Sequence, residues 1–152
     1  MFFLGFLPFT VFSCCDFKDA PSIDFDVESF SLHQTAWNLN SYTNYSFSFV
    51  YESGCSPKKC NATVSVTNGI SSVSCGKTFV ESIDALYEEI YNDYNTYKAE
   101  LDSGKAMFDK IVFKINYDDT YHYPSSVRIE IWTDEDAGGD WSVTISDFKL
   151  LM

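Results

Sequence analysis

Ile111–Ile131, IVFKINYDDTYHYPSSVRIEI, is the stretch from which the fold can be read. Ile111, Phe113, Ile115 and Tyr117 alternate with Val112, Lys114 and Asn116, and Val127, Ile129 and Ile131 alternate with Arg128, Glu130 and Trp132. A period of two puts each set on one face of a β-strand, so both strands have an apolar side and a polar side. Pro124 has no N–H to give a ladder and biases the residue before it away from helix, which marks residues 117–124 as a tight connection between two antiparallel strands.

Upstream the period changes. Ile83, Leu86, Tyr87, Ile90, Tyr94, Tyr97 and Leu101 step by three and four while Asp84, Glu88, Glu89, Asn92 and Asp93 fall opposite, the pattern of an amphipathic helix. Ser82 stands where an N-cap belongs and Gly104 where a helix ends. Earlier still, Tyr45, Phe47, Phe49 and Tyr51 alternate with Ser46, Ser48 and Val50 as a strand. Strands at Thr63–Thr67 and Ile70–Lys77 flank Asn68-Gly69, a pair suited to the positive φ angles of a type I′ hairpin turn. Residues 26–40 read as a first helix, with Asp26 as N-cap, Glu28 in the first turn, and Val27, Phe30 and Trp37 at helical spacing. Trp141, Val143 and Ile145 alternate with Ser142, Thr144 and Ser146 in a last strand.

The resulting order is α-β-β-β-α-β-β-β, two halves of one plan, with Phe47-x-Phe49-x-Tyr51 in the first matching Phe113-x-Ile115-x-Tyr117 in the second. Strands with one apolar face and helices with one apolar stripe satisfy each other by packing in two layers. The expectation for residues 26–152 is therefore one α+β domain, a two-layer sandwich of an antiparallel six-stranded meandering sheet with two helices on one face.

A chain of 152 residues with 45% hydrophobic and 18% aromatic residues has the material for one ordinary core. Ten Lys and Arg against 22 Asp and Glu give a net charge of -12, which repels phosphate backbones and argues against nucleic acid as a partner. Residues 1–13, MFFLGFLPFTVFS, are uncharged, apolar and of signal-peptide length, too short to span a bilayer as a helix, although no Lys or Arg precedes Lys18. Val11-Phe12-Ser13-Cys14 resembles the bacterial lipobox, which implies cleavage before Cys14 and acylation of its sulfur. On that reading residues 14–25 are a lipidated acidic tether. The protein is then exported and held to a membrane of the cell envelope through its lipid anchor.

Several landmarks follow in one order: Trp37, Asn44-Tyr45-Ser46-Phe47, the cysteines of the first hairpin, Val64-x-Val66-x-Asn68-Gly69, Ser82-Ile83-Asp84-Ala85-Leu86-Tyr87, and Tyr117-Asp118-x-x-Tyr121-His122-Tyr123-Pro124. That order resembles a family of bacterial exported proteins and lipoproteins classed as a domain of unknown function, over most of the mature chain. Where the family has Gly this chain has His122; if that Gly serves a positive φ, His is among the residues that can bear it, at some cost. It implies no catalytic residue, because none is assigned in that family.

The sequence Cys55-Ser-Pro-Lys-Lys-Cys60 falls at the tip of the first hairpin, and in an exported protein a Cys55–Cys60 disulfide is the expected reading. Cys75 alternates with Val73 and reads as a buried thiol or as the partner of a hairpin cysteine. Zinc is not expected: no Cys-x-x-Cys pair is present, and His33 and His122 are far apart in sequence. Two routes to chemistry stay open, a nucleophilic Cys75 beside His33 or His122 and the carboxylates of Asp118 and Asp119. Neither carries a local signature, and Asp in a turn ordinarily bonds its own backbone. The loop Thr133–Asp140 gathers Asp134, Glu135, Asp136 and Asp140, oxygen ligands suited to Ca²⁺ but without the EF-hand order.

The outward face of the sheet is the remaining candidate. It is rich in hydroxyls and carries Lys114, Arg128 and Trp132, which suit it to binding an envelope protein or a glycan with Trp132 as anchor. The sequence thus predicts a non-catalytic binding module with no cofactor or metal. An envelope enzyme using Cys75 or Asp118/Asp119 and a calcium-responsive surface protein are the alternatives.

Overall fold

In the computed structural model, which describes residues 20–54, 56–74, 80–133 and 139–152, each helix begins where a side chain closes its first turn. The Asp26 carboxylate accepts from the Ser29 N–H at 2.9 Å ahead of α1 (Val27–Asn40). Ser82 Oγ accepts from the Ala85 N–H at 3.0 Å ahead of α2 (Ile83–Asp102). Both satisfy amide groups that the first turn of a helix leaves without partners. Beyond α2 the chain turns away at Gly104, φ +68, where an L side chain would be strained.

The strands are β1 (Ser22–Asp24), β2 (Tyr45–Ser53), β3 (Ser56–Thr67), β4 (Ile70–Val73), β5 (Lys110–Tyr117), β6 (Pro124–Trp132) and β7 (Trp141–Leu150). They form one open sheet in the order β1-β5-β6-β7-β2-β3-β4. The two expected meanders, β2-β3-β4 and β5-β6-β7, are present, and β2 joins them by pairing antiparallel with β7, Tyr51 opposite Val143. Asn68 and Gly69 take φ 52 and 76 between β3 and β4, and His122 takes φ 64 in the central connection.

The expectation of six antiparallel strands needs correction on two points: the described residues form seven strands, and the sheet is mixed. β1 pairs parallel with β5, Ile23 opposite Ile111, and the Ser22 N–H donates to the Asp109 carbonyl at 3.1 Å. The end of the stretch read as a tether is therefore part of the sheet. Pairing there covers the edge of β5, whose ladder groups would otherwise be open to water or to another chain. Three residues with one apolar side chain are too few to display a period, and a parallel partner far downstream leaves no hairpin signal.

Alternation works as the sequence implies. Phe47, Phe113, Ile129 and Val143 are buried, together with Val64, Ile111 and Val127, on one face of the sheet. Both helices lie on that face. Trp37 of α1 meets Tyr45 of β2 edge-on at 5.4 Å, Tyr94 of α2 meets Phe113 of β5 edge-on at 6.2 Å, and Phe30 meets Tyr87 to join the helices. Edge-to-face packing of this kind adds about 0.5–1.5 kcal/mol per pair beyond the area buried. No buried side-chain nitrogen or oxygen among the described residues lacks a partner. The opposite face has no layer of the described chain over it and carries the candidate residues.

Candidate functional site

The β5–β6 register sets Lys114 opposite Arg128 and Lys110 opposite Trp132. Along β6 the two-residue period then aligns Arg128, Glu130 and Trp132 in one row on the outer face. Glu130 is diagonal to Lys114, within reach of a long side chain. Lys114 Nζ donates to both Glu130 oxygens, at 2.7 and 2.8 Å, and Arg128 Nε lies 3.0 Å from Oε1. The Glu130 side chain is only 14% exposed, whereas those of Lys114 and Arg128 are 57% and 62% exposed, so an approaching molecule meets the cations first. The hydrogen bond from Lys114, with the charges of Lys114 and Arg128, holds the Glu130 carboxyl below the usual carboxylate range.

Trp132 is 59% exposed beside this triad. With Lys114, Arg128, Glu130, Ile131, Thr133 and Asp140 it lines a shallow depression of about 530 Å³. A second depression of about 550 Å³ shares Lys114, Glu130 and Trp132 and is completed by Asp109, Lys110 and Val112. The Asp140 carboxylate accepts from the Ile131 N–H at 2.8 Å and so steadies the rim. An indole exposed between fixed charged groups can stack on an apolar or C–H face while its neighbours donate and accept hydrogen bonds.

The three binding residues expected from the sequence, Lys114, Arg128 and Trp132, are thus brought together. Glu130 and Lys110 were missed, and Asp140 had been singled out only as a candidate calcium ligand. Glu130 stands in the same alternating row, but only the cross-strand register shows that Lys114 reaches it.

The other candidates fare differently. Asp118 Oδ1 accepts from the Thr120 and Tyr121 N–H groups at 2.9 and 2.7 Å, the backbone role expected of Asp in a turn. Cys14, Cys55, Cys75, Asp134, Glu135 and Asp136 lie outside the described residues. Cys60, which is described, is disulfide-bonded. No helix among the described residues is long and apolar enough to cross a membrane.

One pairing had no sign in the sequence. α1 carries His33 to the connection between β5 and β6, where its ring stacks on Tyr117 with centroids 4.0 Å apart and an interplanar angle of 1°. There His33 Nδ1 and His122 Nδ1 are 3.3 Å apart. The backbone of His122 is held on both sides: its N–H donates to the Asp118 carbonyl at 2.9 Å, and its carbonyl accepts from the Tyr87 hydroxyl. Burial, and then the charge of His122, push the His33 imidazole down from its ordinary value, with Asp119 acting in opposition. Compared with protein-family models, curated proteins and solved structures, the chain has no match.

Proposed function

We propose that the protein is an exported, lipid-anchored module of the cell envelope that acts by binding, and that its ligand is a glycan held on the outer face of the sheet. The observation that carries this reading is the exposed Trp132 indole beside the Lys114–Glu130–Arg128 cluster. A sugar ring offers a C–H face to the indole and hydroxyls to the charged groups, and the shallow depression matches a chain of rings lying along the surface. A protein partner is the second reading. It is less favoured because a stable interface buries about 800 Å² per partner around a cluster of anchors. Here a single large aromatic stands on a face otherwise made mainly of hydroxyl, amide and charged residues, with Val50 and Val112 as small aliphatic members.

The address follows from residues 1–13 and the lipobox-like approach to Cys14. β1 starts beside Lys110, at the end of the sheet that also carries Trp132. The chain from Cys14 to Ser22 spans about 27 Å at full extension, so an anchor at Cys14 keeps the Trp132 end close to the membrane.

The test is capture of envelope glycans by wild type and by Trp132→Ala. Wild type is expected to retain protease-resistant polysaccharide, and Trp132→Ala to bind at least about tenfold more weakly while melting within about 0.5 kcal/mol of wild type. Captured material that protease destroys would favour the protein partner. Equal binding by both chains would remove the outer face from consideration. Loss of acyl mass in Cys14→Ser checks the anchor separately.

A further inference from the structure

We propose that His33 and His122 form a two-imidazole site for a transition-metal dication such as Zn²⁺, which on binding clamps α1 to the connection between β5 and β6. Two nitrogens bound about 2.0–2.1 Å from a tetrahedral ion lie about 3.3 Å apart, and the two Nδ1 atoms are 3.3 Å apart. The same spacing is within reach of an N–H···N hydrogen bond in the ion-free protein, which the ion would replace. To accept the ion each ring carries its proton on Nε2, leaving both Nδ1 lone pairs free.

Much of the geometry is in place before any ion arrives: the His33 ring is stacked on Tyr117, and the His122 backbone is held in its left-handed conformation by hydrogen bonds on either side. Such positioning removes much of the ordering cost of binding. Asp119 is near enough for its charge to act on His33, and that charge favours a cation there. Among the described residues no third His, Cys, Asp or Glu completes a ligand set, so water fills the other positions and affinity is modest. Nitrogen ligands select Zn²⁺, Ni²⁺ or Cu²⁺ over Ca²⁺ and Mg²⁺.

The test is thermal melting of the chelator-treated chain with added Zn²⁺, alongside His33→Gln and His122→Gly. Glycine accepts φ 64 freely, so His122→Gly preserves the turn while removing a ligand. With Zn²⁺ about 100-fold above its Kd, wild type is expected to melt on the order of 8–14 °C higher, and neither variant to respond. Ca²⁺ at the same concentration should leave all three unchanged. The proposal is overturned if wild type does not respond, if the variants gain as much as wild type, as they would with Zn²⁺ on thiols or surface carboxylates, or if Ca²⁺ reproduces the shift.

Discussion

Replacing Tyr45 by Phe tests how the two layers are tied together. Tyr45 is fully buried, and its hydroxyl accepts from the Ile83 N–H at 3.2 Å and lies 3.5 Å from the Asp84 carboxylate as donor. Asp84 also accepts from the Trp37 indole N–H at 3.0 Å. A single phenol oxygen thus links β2 to the first turn of α2 and, through Asp84, to α1. Tyr45→Phe keeps the ring and removes the oxygen, leaving one of the amides of that first turn buried without a partner. Such an orphan costs about 1–3 kcal/mol. The variant no longer has to desolvate a hydroxyl, so the net loss should be about 1–2 kcal/mol. At about 3–5 °C per kcal/mol for a domain of this size, melting should fall by about 3–10 °C. Urea unfolding should show a lower midpoint with an unchanged slope, as expected if only stability changes. In a double-mutant cycle with Asp84→Asn the two losses should fall short of additive, because the residues share a network. A Tyr45→Phe protein that melts at or above wild type would refute the reasoning, since the start of α2 would then not depend on that oxygen.

Two further outcomes follow from burial and register. Burial pushes the phenols of Tyr45 and Tyr97 up to about 12 from 10.0 and also raises those of Tyr87, Tyr117 and Tyr123. The unfolded chain ionises at the ordinary value while the native state holds its protons, so this contribution to stability is complete below pH 10 and drains away as pH climbs through about 12. Phenolate absorbance and circular dichroism should therefore change together above pH 10; these phenols ionising smoothly with the dichroism intact would count against their burial. Peptide mapping without reductant should recover Cys60, which faces Tyr51 across the β2–β3 register, in a disulfide; a free Cys60 thiol in the folded protein would refute it.

What the amino-acid order determined by itself is whatever can be written within a few consecutive residues. The alternation in 111–117 and 127–132, the stripe from Ile83 to Leu101, the caps at Asp26 and Ser82, and the positive φ at Asn68-Gly69 are all local, since periodicity and capping depend on neighbours along the chain. Because alternation separates the faces, it also put Lys114, Arg128 and Trp132 on the outer side before any pairing was known. Tertiary structure decided which strands lie side by side and which side chains cross between them. β1 gains strand geometry from β5 and has no period of its own. β2 meets β7 only through ladder bonds between distant segments. Glu130 comes under two cations through the register of one hairpin, and His33 reaches His122 because α1 packs across the central connection. Pairing of this kind is settled by the burial and hydrogen bonding of remote segments, and no short stretch of either partner encodes it.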